Sequence, residues 1–224
     1  MKILIFVNSK QNFKFSDKLG GIEILNYNLF NYLKKKYKLT IANSINNKIK
    51  KTEWDIIISS NDARIFNILK AKRKILWLHN KLQVEKAFRK KQLFSLLFNK
   101  MEAVFVSSYL NKKTSGLYNF KRRLVIPNFL PEIFQRYNFR SKKIFSNIKF
   151  VWSVQRERGL SRLIDIWIKK IHPLNLHSEL HVFAIKKNNQ KKLKKFNIFF
   201  HGRVGRKQLI KFYKKSNGMI CLGY

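Results

Sequence analysis

Carboxylates are scarce in this chain. Only 11 Asp and Glu stand against 49 Lys and Arg in 224 residues, a formal net charge of +38. No carboxylate cluster and no Asp-x-Asp pair occurs, so no metal site is expected. Cysteine is nearly absent. Cys221 alone excludes an intramolecular disulfide and a cysteine-based zinc site, and its apolar neighbours point to a buried structural thiol. Long apolar runs are missing too. None reaches the roughly 18 residues that span a bilayer. Met1–Val7 is too short for the apolar core of a secretion signal, and no small-residue cleavage site follows. A cytoplasmic protein is expected, touching a membrane at most peripherally from its inner face. Nucleic-acid signatures are also lacking: there is no RNP1-like motif, no zinc-finger spacing and no single unusually basic element.

Enough apolar material remains for a core. Hydrophobic residues make up 45% and aromatics 14%, so the charge does not imply disorder. The basic excess attracts polyanions: nucleic acid, anionic lipid or phosphate-bearing substrates. Lys, Asn, Ile and Phe all have AT-rich codons, so a biased genome could supply the same excess with no partner involved.

The pattern along the chain is βα alternation. Strands are expected at Lys2–Val7, Leu39–Ala42, Asp55–Ser59, Lys74–Leu78, Ala103–Ser107 and Leu124–Ile126, with helices between them. One of these is a continuous helix over Val84–Met101. It would bury Val84, Ala87, Phe94, Phe98 and Met101 and turn Leu93 and Leu96 outward among Lys86, Arg89 and Lys100, facing an anionic bilayer. Residues 131–147 lack a clean period and read as a linker. Alternation then restarts, with strands at Lys149–Ser153, Glu179–Ala184, Asn197–His201 and Gly218–Leu222. The apolar stripe Leu160, Leu163, Ile164, Trp167, Ile168 and Ile171 marks a helix. The expected fold class is therefore α/β, with two Rossmann-like doubly wound domains over 1–130 and 148–224, the second incomplete.

Several residues carry chemistry. Gly20 and Gly21 open a helix after the first strand, where backbone N–H groups can approach an anion. Glu23 sits in that helix's first turn, where it also balances the helix dipole. His79 ends the fourth strand, on the side where open α/β sheets bind ligands. Asn80 beside it could orient the ring or cap the next helix. Arg156 and Arg158 precede a helix start at Gly159, an arrangement that suits a diphosphate. Gly202 and Arg203 repeat the geometry one strand later.

In this order the residues resemble glycosyltransferase family 4, the retaining GT-B enzymes. The resemblance rests on Gly20-Gly21-Ile22-Glu23, Trp77-Leu78-His79-Asn80, Val106-Ser107-Ser108-Tyr109, Ile126-Pro127-Asn128, then Arg156, Arg158, Gly159 and Leu160, and finally Gly202, Arg203, Val204, Leu209 and Tyr213. It implies transfer of a sugar from a nucleotide-diphosphate donor to a lipid-linked or other glycan acceptor, with no cofactor. It makes His79 the catalytic candidate facing the reacting centre. It places Gly20, Gly21, Arg156, Arg158, Gly159, Gly202 and Arg203 at the donor, with Glu23, Asn80 and Asn128 as further candidates. Arg158 stands where many members have Lys. The family's acidic donor loop would follow Tyr224, so a truncated and inactive fragment is expected. The rival reading is a basic nucleic-acid-binding α/β protein, with Phe and Tyr as stacking surfaces. A third is a non-catalytic α/β remnant.

Overall fold

The computed structural model describes residues 1–9, 20–129, 147–154, 159–183, 191–202 and 204–222. Arg156, Arg158 and Arg203 lie outside the described residues, as does most of the expected linker. The chain divides into two compact units, and the change from one to the other falls within the undescribed stretch 130–146.

The first unit runs β1 (Lys2–Val7), α1 (Gly21–Leu33), β2 (Lys38–Ala42), α2 (Asn47–Lys51), β3 (Trp54–Ser60) and α3 (Ile65–Ile68). It continues with β4 (Ala71–Leu78), α4 (Val84–Arg89), α5 (Leu93–Phe98), β5 (Met101–Phe105), α6 (Ser108–Lys113) and β6 (Phe120–Val125). All six strands are parallel, in the order β2-β1-β3-β4-β5-β6. Helices cover the faces of such a sheet, so its central strands read as unbroken apolar runs. β1 is buried at every position after Lys2. Leu4, Ile57, Leu76, Leu78, Ala103 and Phe105 form the centre of one core with Ala87 and Leu96 from α4 and α5. Two helix starts are capped locally: the Asn46 side chain accepts from the Ile49 N–H at 2.9 Å, and Ser107 from Leu110 at 3.2 Å.

The second unit holds β7 (Lys149–Trp152), α7 (Leu160–Ile166), β8 (Glu179–Phe183), α8 (Lys191–Lys194), β9 (Ile198–Gly202), α9 (Arg206–Lys214) and β10 (Gly218–Met219). Its sheet is parallel, in the order β10-β7-β8-β9. Trp152, Trp167, Leu160, Leu163, Leu180 and Val182 fill its core. The expected apolar stripe packs as one helical run, but α7 widens into a π-helical turn over Trp167–Ile171. The Trp167 ring stays fully buried, and its Nε1–H donates to the Phe196 carbonyl at 2.9 Å.

Four expectations are overturned. The helix over Val84–Met101 is broken into α4 and α5, and Met101 already belongs to β5. The break is a Schellman turn: Gln92 N–H reaches Ala87 O and Lys91 N–H reaches Phe88 O, each at 2.8 Å, with Lys91 left-handed at φ 55. The turn reverses the predicted faces. Leu96 is fully buried and Leu93 packs against the core, whereas Phe94 and Phe98 are exposed. Cys221 is exposed rather than buried, because β10 ends at Met219 and leaves residues 220–222 outside the sheet. Finally, Asn80 neither caps α4, whose N-cap is Gln83, nor holds the His79 ring. Among the described residues no helix is long and apolar enough to cross a membrane.

Candidate functional site

Strand order reverses between β1 and β3, since β2 lies on one side of β1 and β3 on the other. Crossovers leave such a point in opposite directions, so a crevice opens at the carboxyl ends of the strands. Here it is a cleft of about 590 Å³. Val7 and Asn8 enter from the end of β1, Ser60 and Asn61 from the end of β3, and Ile22 and Glu23 from the first turn of α1. Asn80 lines it just beyond β4, and Arg64, Arg89, Lys90, Lys91 and Gln92 supply the remaining wall.

A polar frame holds these elements. Buried Asp62 accepts from Asn8 Nδ2 at 2.6 Å and takes Arg64 in a two-point pair at 2.9 and 2.6 Å. That pair raises the Arg64 pKa still further, so the guanidinium is permanently charged. Ser60 Oγ donates to Asn26 Oδ1 at 3.0 Å, while Asn26 Nδ2 donates back to the Ile22 carbonyl at 2.8 Å, fixing α1 over β3. Asn61 is left-handed at φ 57, and its Oδ1 accepts the His79 N–H at 2.8 Å. Gln92, itself buried, accepts from Ala63 N–H at 3.0 Å and donates to Asn61 O at 3.2 Å. The α4–α5 turn is thereby pinned to the cleft floor, and it carries Arg89, Lys90 and Lys91 with it.

Arg64 is committed to Asp62. Arg89, Lys90 and Lys91 make no ion pair among the described residues, and Glu23 is the one carboxylate on the wall. The crowding of cations is felt nearby: Lys86 is held below the ordinary lysine range, by burial first and then by Lys90 and Arg89. The cleft wall is therefore rich in cations, with Glu23 as its one carboxylate.

His79 follows β4 and is not among the residues that line the cleft, although its neighbour Asn80 is. Its ring leans on Trp77 with centroids 4.7 Å apart, and both ring nitrogens are buried without a hydrogen-bond partner, as is Trp77 Nε1. Burial pushes the His79 pKa down to about 4, so the imidazole is neutral at physiological pH. Three buried polar atoms without partners on adjacent side chains are costly in a folded protein. Gly20 caps α1 with extended backbone at φ -69. A Cβ on Gly20 would meet only the mobile Glu23 carboxylate, and one on Gly21 would meet nothing within 4 Å. Asn128 is exposed after β6 and takes no part in the cleft.

The second unit places its candidates differently. Gly159 starts α7 at φ 92, and a Cβ there would lie 3.3 Å from Leu222 Cδ1. The space expected to admit a ligand beside Gly159 is filled by this chain's own leucine. Gly202, at φ 71, ends β9 and is buried. Next to it runs a polar file that the sequence reading did not foresee. Lys149 pairs with Glu179 at 3.1 Å, Glu179 meets His181 Nε2 at 2.9 Å, and His181 Nδ1 meets His201 Nε2 at 2.8 Å. Burial lowers the His181 pKa, and Glu179 offsets part of that drop. Phe183, Phe199 and Phe212 enclose the two rings. The signal was present in the period of two along Glu179-Leu180-His181-Val182-Phe183, which sets the polar side chains on one face.

The polar cleft residues missed in the sequence were Asn8, Ser60, Asn61, Asp62, Arg64, Arg89, Lys90, Lys91 and Gln92. Apart from Ser60 at the end of β3 and Arg89 at the end of α4 they lie in loops, where residues carry no periodic signal. Among the described residues no cluster of His, Cys, Asp and Glu could hold a metal ion. Compared with known proteins, the chain matches no family model and no curated protein.

Proposed function

We propose that this chain is a glycosyltransferase of the GT-B type, which receives a nucleotide-diphosphate sugar and passes the sugar to a lipid-linked or other glycan acceptor. The observation that carries the reading is the basic cleft at the strand-order reversal, with Ile22 and Glu23 of the Gly20-Gly21-Ile22-Glu23 helix start on its wall. Departure of a nucleoside diphosphate develops negative charge, and fixed cations answer that need directly. Arg89, Lys90 and Lys91 supply them without a competing carboxylate partner. The start of α1 adds its unpaired N–H groups and the positive end of its dipole.

His79 has a part in this scheme that suits its state. A neutral imidazole has one donor and one acceptor nitrogen, and if the His79 ring turns out of its packing beside Trp77 it can hydrogen-bond a sugar hydroxyl. By the resemblance alone, Arg156, Arg158 and Arg203 are phosphate-binding candidates of the second unit in their own right.

The test is a thermal-shift screen of UDP, GDP and their sugar conjugates against the full chain. Stabilisation that weakens with salt and falls in Arg89→Gln/Lys90→Gln is expected. No shift in the parent chain, or an unchanged shift in Arg89→Gln/Lys90→Gln, would overturn the reading.

A further inference from the structure

The α4–α5 hairpin faces two ways. Inward it sends Ala87, Gln92, Ser95 and Leu96, all buried. Outward it sends its largest rings: Phe88 is 66% exposed, Phe94 68% and Phe98 74%. Phe94 and Phe98, one helical turn apart, stack on each other with centroids 6.2 Å apart and planes inclined by 13°. Isolated apolar side chains on a surface need no explanation, but three exposed phenylalanines on one short hairpin do. The same segment carries Lys86, Arg89, Lys90, Lys91 and Lys100 against a single acid, Glu85.

We propose that the α4–α5 hairpin docks the protein on an anionic lipid surface, with Phe88, Phe94 and Phe98 entering the interfacial layer and the flanking cations meeting headgroup phosphates. Aromatic rings favour that layer, and long basic side chains can lay their stems along apolar matter while keeping their charge in water. Each basic residue adds to the attraction of an anionic leaflet. Two other occupants of an apolar face fit less well. A second copy of this chain would bring five further cations against these five. A single-stranded nucleic acid is held along a basic groove that tracks its backbone, and none of these three rings lines the basic cleft. The hairpin also lends Arg89, Lys90 and Lys91 to the cleft, so docking would hold the cleft mouth at the headgroup layer. Docking itself does not depend on what the cleft binds.

The experiment is sedimentation of the full chain with phosphatidylcholine vesicles and with mixed phosphatidylcholine–phosphatidylglycerol vesicles, at low and high salt. The parent chain should pellet with the mixed vesicles only, and high salt should release it. Phe94→Ser/Phe98→Ser should lower the partition coefficient by roughly tenfold or more, since two rings no longer leave water. Both positions are exposed, so the variant should fold, and it should keep any nucleotide-induced thermal shift measured without vesicles. That retained shift separates failure of docking from failure of the cleft. Equal binding to neutral vesicles, no binding to either, or full binding by the double variant would each overturn the proposal. So would a variant that loses affinity for a single-stranded oligonucleotide, or loses self-association, while still pelleting with mixed vesicles.

Discussion

Two glycines open helices at corresponding places in the two units, and they do so for opposite physical reasons. Gly21 begins α1 beside a cleft, where a side chain would meet nothing within 4 Å. Gly159 begins α7 in left-handed backbone, where a side chain would press on Leu222. The same motif, glycine at a strand-to-helix junction, leaves room in the first unit and closes room in the second. The histidines repeat the contrast. His79 is half-buried with both ring nitrogens unused, whereas His181 is buried with both nitrogens engaged. Openness and orphaned polarity occur together in the first unit, which is why the functional reading rests there.

The sharpest way to break this contrast is at the glycines. Gly159→Ala should destabilise the second unit by about 2 kcal/mol, from left-handed backbone in a residue with a Cβ and from displacement of Leu222. Gly21→Ala should do the reverse and add up to about 0.5–1 kcal/mol, because it narrows the unfolded ensemble without touching anything. Urea unfolding of both variants decides it, and losses of similar size would remove the distinction.

The histidines give the next effect. The folded pKa of His79 lies at about 4, below its ordinary value of 6.5, so the unfolded chain binds more protons between those values. Stability is fully present above about pH 6.5 and is lost as pH falls towards 4. With a discount for partial solvent screening, His79 should account for about 2 kcal/mol of that loss. His181 shifts in the same direction and contributes with the same sign. His79→Leu should flatten the stability profile across this window, and an unchanged profile would show that the ring finds partners in solution.

A smaller effect is expected at Lys91. Its left-handed backbone suits glycine, so Lys91→Gly should stabilise the first unit by about 0.5–1 kcal/mol in the same unfolding assay while removing one cation from the cleft. A gain in stability with a loss of anion affinity would mark Lys91 as a residue kept for its charge. A loss of stability would mean that its side chain supports the turn.

Much of the scaffold could be read from the sequence, and the reasons are local. The apolar runs at Lys2–Val7 and Asp55–Ser59 are too short and too uniform for anything but buried parallel strands, and they form β1 and the middle of β3. The stripe from Leu160 to Ile171 packs as expected, save for the π turn. The helix over Val84–Met101 failed because a Schellman turn with lysine in the glycine position leaves no compositional mark. One such turn shifts the phase of the helix, which is why Leu96 and Phe94 exchanged places. Of the sequence candidates, Glu23 and Asn80 line the cleft, and their positions could be anticipated because strand ends and helix starts can be read in order. Those of Asp62, Arg64 and Gln92 could not, because what joins them to the cleft is side-chain hydrogen bonding between segments up to 54 residues apart, as in Asn8 with Asp62.

The central claim is that the cleft of the first unit, rather than the general positive charge of the chain, holds a phosphate-bearing substrate. Calorimetric titration of UDP into three forms of the full chain tests it: the parent, Arg89→Gln/Lys90→Gln at the cleft, and Lys35→Gln/Lys36→Gln just past the C-terminal end of α1. Each variant removes two exposed cations. The predicted result is a loss of roughly tenfold or more in affinity for the cleft variant, from two forfeited charge-assisted contacts, and little change for the other. Equal losses in the two variants would contradict the claim, because they would show that UDP responds to net charge and not to a site.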